Sequence, residues 1–349
     1  ARLPAVEIVD LRRHRHGPSG HALVSGPLHA AIARCLDAGH QAILFLNRRG
    51  FSPSVRCGGC GVLAECPACS VALTEHRGQA VLRCHYCDFH RPLMAACPAC
   101  GAKEYEHLGV GTEQLQQSVE ESFPAARVAR LDRDTASGEG VEAVLDRLRK
   151  GEVDVLVGTQ MVTKGHDIAG VSLVGVVLAD QSLAFPDFRA SERTFQLLAQ
   201  VAGRAGRAET PGEVVLQTFQ PDHPAVRLAA SHDYERFYAV EVESRREVGY
   251  PPFTRLVTAR VHAGAEDEAR RATRLLAETA GQHAAVREGA VQVLGPAPAP
   301  LARLRGRYHY RLLLKSPDRK LLRQVAALLA ARIDRGLAPA HATLDIDPL

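Results

Sequence analysis

The first two thirds of the chain alternate short apolar runs with amphipathic segments. Three runs, QAILFLN at 41–47, VDVLVGT at 153–159 and LVGVVLAD at 173–180, are apolar on both faces of an extended strand. Strands of this kind are buried on both sides, which is typical of parallel sheets covered by helices. The pattern also predicts strands in ARVARLD at 126–132 and GEVVLQTF at 212–219.

Amphipathic segments lie between these strands. In TEQLQQSVEESF, at 112–123, Leu115, Val119 and Phe123 stand four residues apart, which predicts a helix with Thr112 as its N-cap. Further helices are predicted at 140–150 and 190–202. Strands that alternate with helices predict an α/β fold with a mostly parallel sheet.

The last third of the chain follows a different order. A helix around 233–246 and the turn YPPF precede a strand, a helix, two strands, a helix and a strand. These are predicted at 256–262, 266–285, 291–295, 308–315, 318–334 and 342–347. The βαββαβ order predicts an α+β, ferredoxin-like split fold. GPAPAPLARLRG, at 295–306, is predicted to be a stiff, proline-rich loop between the two middle strands.

Composition and charge narrow the class of protein only slightly. The 349 residues carry a net charge of +4, which allows two or three domains and leans weakly towards polyanions. Residues 301–323 hold eight Lys or Arg against one Asp, which fits either a solvated face or a nucleic-acid contact. With no bilayer-length apolar run and no signal peptide, we expect a cytoplasmic protein without a membrane partner. The start at Ala1 rather than Met is what a piece of a longer protein would show.

A cysteine-rich segment interrupts the α/β pattern after its early strand. Four C-x-x-C pairs stand there: Cys57 and Cys60, Cys66 and Cys69, Cys84 and Cys87, Cys97 and Cys100. Each pair offers half of a tetrahedral thiolate site, so the eight thiolates predict two closed, structural Zn²⁺ sites. A set of disulfides or reduced core thiols is the alternative.

Loop lengths favour a nested pairing of these cysteines. The loop between Cys60 and Cys66 is too short for easy pairing of neighbours, whereas residues 70–83 are long enough for a hairpin. The two outer pairs would therefore share one zinc ion and the two inner pairs the other. Because thiolates fill both sites, three nearby histidines are predicted to lie at the surface or just outside the metal ligands: His76, His85 and His90.

Two glycine-containing segments have the chemistry of a phosphate or nucleotide site. GTQMVTKGHD, at 158–167, follows a buried strand directly, so backbone N–H groups and the Thr159 hydroxyl suit a phosphate, and Asp167 suits a ribose hydroxyl or a catalytic water. QVAGRAGR, at 200–207, is predicted to project Arg204 and Arg207 in one direction, towards phosphate oxygens. A basic helix end that complements its own dipole is the alternative.

The chain nevertheless contains no phosphate loop of the G-x-x-x-x-G-K-[ST] type, since Gly never precedes Lys. DEAR, at 267–270, lies inside a helical pattern and is predicted to be surface charge, not a magnesium-binding box. Nothing in these residues would hold the β-phosphate and Mg²⁺, so we expect no ATP hydrolysis by this chain alone.

Arginines alternate with tyrosines in the basic part of the C-terminal region. The candidates for DNA contact are Arg303, Arg305, Arg307, Tyr308, Tyr310 and Lys315. Cations would meet phosphates and rings would meet bases. A half-buried edge strand whose tyrosines belong to the core is an equally good interpretation of the same pattern.

Together these motifs resemble the PriA (primosomal protein N-prime) family, superfamily 2 DNA helicases of bacterial replication restart. The shared segments are FLNRRG, CHYC, CPACG, GVGTEQL, LDRDT, GTQMVTKGHD, LADQSLAFPDFRASERTFQLLAQVAGRAGR, GYPPF and LGPAPAPLARLRGRYHYRLLLK, in this order over almost the whole chain. The resemblance implies a second RecA-like lobe in two parts, 1–55 and 104–219, a zinc-binding insertion at 56–103 and a C-terminal DNA-binding domain at 220–349.

The resemblance also implies functional residues and partners. Arg204 and Arg207 would sense the γ-phosphate, Gln200 would contact the nucleotide or its water, and Gly165, Asp167 and Gly203 would border the nucleotide. Phosphates of single-stranded DNA would be held by Asn47, Arg48, Arg49, Gly111, Thr112 and Thr159. The cysteines would bind two structural zinc ions, and ATP with Mg²⁺ would bind only in a full-length protein that includes the missing first lobe. Single-stranded and branched DNA, primosomal proteins and single-strand-binding protein would be the partners.

Three functional hypotheses follow. The first is the C-terminal portion of an ATP-dependent 3′-to-5′ helicase that recognises stalled forks and restarts replication by primosome assembly. The second is a non-catalytic, DNA-binding primosome scaffold derived from such a helicase, although a scaffold has little need of Arg204 and Arg207. A zinc-ribbon chaperone would explain the cysteines and none of the other motifs.

Overall fold

A computed structural model of the chain describes residues 4–14, 23–46, 55–76, 81–107, 111–132, 140–159, 170–203 and 212–348. The strands are β1 (Ala5–Asp10), β2 (Gln41–Phe45), β3 (Val55–Cys57), β4 (Thr74–His76), β5 (Val81–Arg83), β6 (His90–Pro92), β7 (Tyr105–His107), β8 (Val128–Leu131), β9 (Val155–Gly158), β10 (Val171–Val176), β11 (Glu213–Thr218), β12 (Arg255–Ala263), β13 (Gln292–Leu304), β14 (Arg307–Ser316) and β15 (His341–Ile346).

The helices are α1 (Gly26–Asp37), α2 (Thr112–Ser122), α3 (Val141–Arg149), α4 (Ala190–Ala202), α5 (Pro224–Ala230), α6 (Tyr234–Val248), α7 (Glu266–Gly281), α8 (Ala284–Arg287) and α9 (Arg319–Asp334), with a short 3₁₀ helix at Ala179–Ser182. None of the helices in the described ranges is long and apolar enough to cross a membrane.

Six strands form one parallel sheet in the order β1-β11-β10-β2-β9-β8. Helices cover both faces, with α1 and α2 packed on one side and α3, α4 and α5 on the other. At Gly175 in β10, a Cβ atom would lie 2.7 Å from Leu44 and 2.8 Å from Leu28, so glycine lets α1 approach the sheet. The prediction of an α/β fold with a mostly parallel sheet is confirmed.

The cysteine-rich segment forms two small antiparallel sheets between β2 and α2, β3 with β7 and β4 with β5 and β6. After the parallel sheet, four strands form an antiparallel sheet in the order β13-β14-β12-β15, with α7 and α9 on one face. Numbered within the βαββαβ unit, that order is 2-3-1-4, the arrangement of the predicted ferredoxin-like fold.

Several local predictions were wrong. Gly111, not Thr112, is the N-cap of α2 and makes no side-chain capping bond. The strand predicted at 173–180 starts at Val171 and ends at Val176. The proline-rich stretch 295–306 is not a loop, because β13 runs through it to Leu304. As β13 is an edge strand, its prolines lack N–H groups that an inner strand would need.

The segment after residue 220 also packs differently from the prediction. Ala225, Val226 and Leu228 of α5 and Phe237 of α6 lie in the hydrophobic core of the parallel sheet. The Phe237 ring stacks on Phe195 of α4 with centroids 4.1 Å apart. Both helices thus extend the parallel-sheet region, and the separate C-terminal core begins with β12.

Candidate metal centres and nucleic-acid interface

The four C-x-x-C pairs adopt the same turn. In each, the N–H of the residue after the second cysteine donates to the carbonyl oxygen of the first: Gly61 to Cys57 and Ser70 to Cys66 at 2.9 Å, Asp88 to Cys84 at 3.1 Å, Gly101 to Cys97 at 2.8 Å. That residue has a left-handed backbone every time, with φ of 75°, 48°, 67° and 76° respectively. Gly and Asp tolerate this region well, so the residue after three of the four pairs was a signal in the sequence that we did not use.

These turns assemble the eight thiols into two groups of four. The outer group is Cys57, Cys60, Cys97 and Cys100, and the inner group is Cys66, Cys69, Cys84 and Cys87. Within each group, the Sγ atoms lie within 4.8 Å of one another. The nested pairing predicted from loop lengths is the one that the structure has.

The spacing of the sulfur atoms fits tetrahedral zinc. Sγ atoms are 3.5 Å apart between Cys57 and Cys100, 3.7 Å between Cys60 and Cys97, and 3.6 Å between Cys66 and Cys87. Zinc bonds of about 2.3 Å to four thiolates place the sulfurs about 3.8 Å apart. Both groups therefore suit a structural Zn²⁺ ion with every coordination position filled by the protein.

The pKa values of the thiols bear on how these groups would bind a metal ion. Burial raises the pKa of Cys60 and of Cys66 to about 12. In the inner group, the pKa of Cys84 is lowered to about 5, chiefly by the hydrogen bond that Cys69 donates, and the pKa of Cys69 is raised in return. Burial thus disfavours the thiolate form of Cys60 and Cys66, which a bound divalent cation would favour.

The inner group is the contact point between the three parts of the chain. His85, between two ligands, is buried with Nδ1 2.7 Å from the carbonyl oxygen of Pro298, so it has the second of its two predicted positions, just outside the metal ligands, and not the surface position. Its own carbonyl accepts from Nε of Arg311, whose guanidinium lies 4.4 Å from the centre of the Tyr86 ring. The Tyr86 hydroxyl accepts from the N–H of Phe188 at 3.4 Å. Sequence reasoning missed these contacts because none is local.

At the other predicted site, three adjacent strands end at one edge of the parallel sheet. The N–H of Leu46, after β2, donates to Gly158, and the N–H of Thr159, after β9, donates to Leu131 of β8. Thr159 is half-buried there. Several predicted site residues lie outside the described residues: Asn47, Arg48, Arg49, Gly165, Asp167, Arg204 and Arg207.

Thr112 stands at this edge but is not available as predicted. Its side chain is fully buried, and its hydroxyl donates to Oδ2 of Asp132 at 2.6 Å. The hydroxyl therefore holds α2 against the end of β8 and is not free for a DNA phosphate. Gly111, half-buried before it, starts the helix, whose first backbone N–H groups face outward along its axis.

Gln200 and Gly203 lie at the C-terminal end of α4. Gln200 is exposed on the last turn. Gly203 caps the helix, with its N–H donating to Ala199 at 3.1 Å and a φ of −68° that any residue can adopt. The backbone at this position therefore does not require glycine.

The predicted C-terminal DNA contacts divide into two sets. Arg305 and Gly306 form the tight turn between β13 and β14, with φ of 50° and 75°, and Arg305 and Arg307 are exposed. Tyr308 is half-buried, and the Arg303 guanidinium lies 5.3 Å from its ring centre. Tyr310 belongs to the core, and Lys315 donates to the carbonyl oxygen of Val248, so these two residues are structural. β14 is an inner strand, not the edge strand of the alternative.

Comparison with known protein families gives three collinear matches. Residues 66–92 match the PriA DNA helicase Cys-rich region domain, residues 103–209 the helicase conserved C-terminal domain, and residues 246–349 the primosomal protein N C-terminal domain. Each match is to a domain of PriA or of helicases, in the order that the resemblance implied.

Proteins that are similar to this chain over nearly its whole length belong to the same family as the domain matches. The chain is 39% identical over 348 residues to replication restart protein PriA of Bacillus subtilis, covering 99% of this chain and 42% of that protein. For the PriA protein of Synechocystis sp., the identity is 39% over 350 residues, with 99% and 41% covered. The Treponema pallidum protein is also 39% identical, with 99% and 51% covered. The chain thus spans about half the length, or less, of these relatives.

Proposed function

Because the chain belongs to the PriA family of replication restart proteins, we propose that it supplies the second lobe, the zinc-binding insertion and the C-terminal domain of an ATP-dependent 3′-to-5′ DNA helicase. One observation carries the proposal: three strands adjacent in the sheet, β2, β9 and β8, end together at Leu46, Thr159 and Asp132. The segments FLNRRG, GTQMVTKGHD and LDRDT start at those ends. Ligands of open α/β sheets bind at this edge.

In this proposal, ATP binds between the chain and a first lobe that carries the phosphate loop. Arg204 and Arg207 would stabilise the charge that develops on the γ-phosphate, and Gln200 would contact the nucleotide or its water. Gly165, Asp167 and Gly203 would border the nucleotide. ATP and Mg²⁺ would be held mainly by the other lobe, since the 349 residues contain no phosphate loop.

Single-stranded DNA would cross the same edge of the sheet. Asn47, Arg48, Arg49 and Thr159 would contact its phosphates by their side chains. At the start of α2, the contribution of Gly111 and Thr112 would come from backbone N–H groups, because the Thr112 hydroxyl is held by Asp132. A helix N-terminus favours anions through these N–H groups and its dipole. Arg305, Arg307 and Tyr308 would contact branched DNA from the β13–β14 turn.

The zinc ions would have a structural role. Cys57, Cys60, Cys97 and Cys100 would hold one ion and Cys66, Cys69, Cys84 and Cys87 the other, with no position left for a substrate. Primosomal proteins and single-strand-binding protein would be the protein partners, and the cytoplasm the location.

Single arginine variants of the full-length protein test the helicase assignment. R204A and R207A should each lower kcat for DNA-stimulated ATP hydrolysis by about 10³-fold, as loss of an arginine finger does, while DNA affinity is kept. R227A, an exposed arginine on α5, is the matched control. Normal turnover by both variants would contradict the assignment.

The isolated 349-residue chain should not hydrolyse ATP, and turnover by it would contradict the need for a second lobe.

A further inference from the structure

The C-terminal sheet has one face that helices do not cover. Val261 and Ala263 of β12 point into the core formed with α7 and α9, so His262 between them points to the opposite face. Near its other end, that face packs on the inner cysteine group through Leu256 and Leu313. The end that carries His262 lies beyond this contact.

Three histidines form a row across this end. His262 of β12 is the direct cross-strand partner of His309 on β14 and of His341 on β15. The ring centroids are 5.4 Å apart in both pairs, with interplanar angles of 44° and 32°. His341 is exposed, and the other two are half-buried. Residues 262, 309 and 341 are distant in the chain, so only the sheet register brings them together.

Arginines flank the row. Nη1 of Arg307 lies 3.1 Å from Nδ1 of His262, and because arginine can only donate, Nδ1 is the acceptor and the neutral ring carries its proton on Nε2. Burial and then the charge of Arg307 lower the pKa of His262, which keeps the ring neutral at physiological pH. Arg260, two residues before His262 on the same face, is exposed and pairs with Asp345.

A cleft of about 340 Å³ adjoins His309 on the same face. Thr258 and Arg260 of β12 line it, together with Leu301 and Leu304 of β13. Both leucines are large apolar side chains with 48% and 47% of their surface exposed. The histidine row and the adjoining cleft thus place aromatic rings, apolar side chains and cationic groups next to one another on this face.

We propose that the row of His262, His309 and His341 is a stacking platform for unpaired bases of single-stranded DNA, with Arg260 and Arg307 at its phosphates. The proposal rests on the DNA-binding function proposed above and adds a second single-strand site, separate from the edge of the parallel sheet. The four-stranded sheet of one widespread class of RNA-binding domain binds single strands in this way, with aromatic rings on the strands stacking two or three bases. Here His262 and His309 stand on the two central strands.

Binding of a fluorescent dT₂₀ strand to the chain at pH 8 tests the platform. H262A and H309A should each weaken binding about tenfold, which is the usual effect of removing one base-stacking ring. The salt dependence of Kd should stay the same for these variants, because a stacked ring contacts a base and not a phosphate, and it should fall for R307A. H309F should restore binding, since phenylalanine stacks but neither ionises nor donates. H14A, an exposed histidine beside the parallel sheet, is the control.

The outcomes separate this inference from the proposed function. Parental affinity of an H262A/H309A double variant, equal binding of an abasic strand, or H309F as weak as H309A would overturn the platform alone. Photo-crosslinking of 5-iododeoxyuridine strands should label residues 255–263 and 307–316, and labels confined to other segments would also overturn it. A chain that binds neither dT₂₀ nor forked duplex DNA would instead refute DNA binding as a whole.

Discussion

Tyr250 donates its hydroxyl hydrogen to the backbone carbonyl oxygen of Cys69, 2.9 Å away, in buried surroundings. The Tyr250 ring stacks on Phe188 with centroids 4.7 Å apart, and Nζ of Lys315 lies 5.0 Å from its centre. Cys69 belongs to the inner cysteine group, Phe188 precedes α4 of the parallel-sheet region, and Lys315 is on β14. One tyrosine therefore contacts all three parts of the chain.

The first prediction concerns this hydrogen bond. Y250F keeps the ring contacts but leaves the Cys69 carbonyl without this donor, so the free energy of unfolding should fall by about 1 kcal/mol. Urea denaturation of the zinc-loaded chain measures the loss. Y238F, on an exposed tyrosine of α6, should leave stability unchanged. An unchanged denaturation midpoint for Y250F would mean that the bond does not stabilise the junction.

Loss of one ligand from either cysteine group should empty one zinc site. C69S and C100S should each reduce the zinc content from about two ions to about one per chain, since each removes one of four ligands. C35A, outside both groups, should keep both ions. Elemental analysis of purified variants measures this result.

Only the inner group should couple to the C-terminal sheet. Arg311 on β14 donates to His85, which follows the inner-group ligand Cys84, whereas Cys100 of the outer group is exposed. Hydrogen exchange in β12 and β14 should therefore accelerate in C69S and stay near that of the parent in C100S. Equal acceleration in both variants would contradict the special position of the inner group.

Most of the secondary structure could be predicted from local pattern, because burial on one or both faces leaves a repeat in the sequence. The βαββαβ order is an example. The choice of the sheet against which a helix packs leaves no such repeat in the sequence. Helix α5 carries apolar residues that would fit either sheet, and only the structure places Val226 in the core of the parallel one. The part of β13 after residue 295 escaped prediction, because an edge strand tolerates prolines that normally indicate a loop.

The candidate sites differ in the same way: features set by the local chain could be predicted, and features set by contacts between distant segments could not. The nested cysteine pairing followed from loop lengths alone, since chain connectivity limits which pairs can meet. The role of Thr112 did not, because its partner Asp132 lies 20 residues away in the chain, just after β8. The row around His262 could not be predicted either, as it exists only through the register of β12 with β14 and β15.

The turn between β13 and β14 should contribute charge to DNA binding. In R305A/R307A, two exposed cations are lost, so affinity for forked DNA should fall and the slope of log K against log salt should decrease by about two. DNA titrations at several salt concentrations, from about 50 to about 200 mM, measure this slope. R271A/R274A removes two exposed arginines from α7 and should change the slope less. Identical slopes for the two double variants would exclude the turn as a specific contact.

The last prediction concerns His223, which caps α5 by accepting the N–H of Ala225 on Nδ1 at 3.2 Å. Burial lowers its pKa from the ordinary 6.5 to about 4, because the imidazolium loses its hydration. Between these two values, the unfolded chain binds a proton that the folded chain does not. The stability contributed by the neutral ring is therefore complete above pH 6.5 and is lost as pH falls towards 4, by about 1.4 kcal/mol per pH unit.

H223N isolates this effect, since the asparagine oxygen can accept the same N–H but does not titrate. Between pH 6.5 and pH 5, the unfolding midpoint of the parent should decline more steeply than that of H223N, and above pH 7 the two slopes should coincide. H283N makes the same change at the histidine that caps α8, where Nδ1 accepts from Ala285 at 3.2 Å, and controls for the loss of a capping imidazole as such. Parallel curves for the parent and H223N throughout the acidic range would show that His223 ionises in the folded chain without cost, and that burial does not hold it neutral.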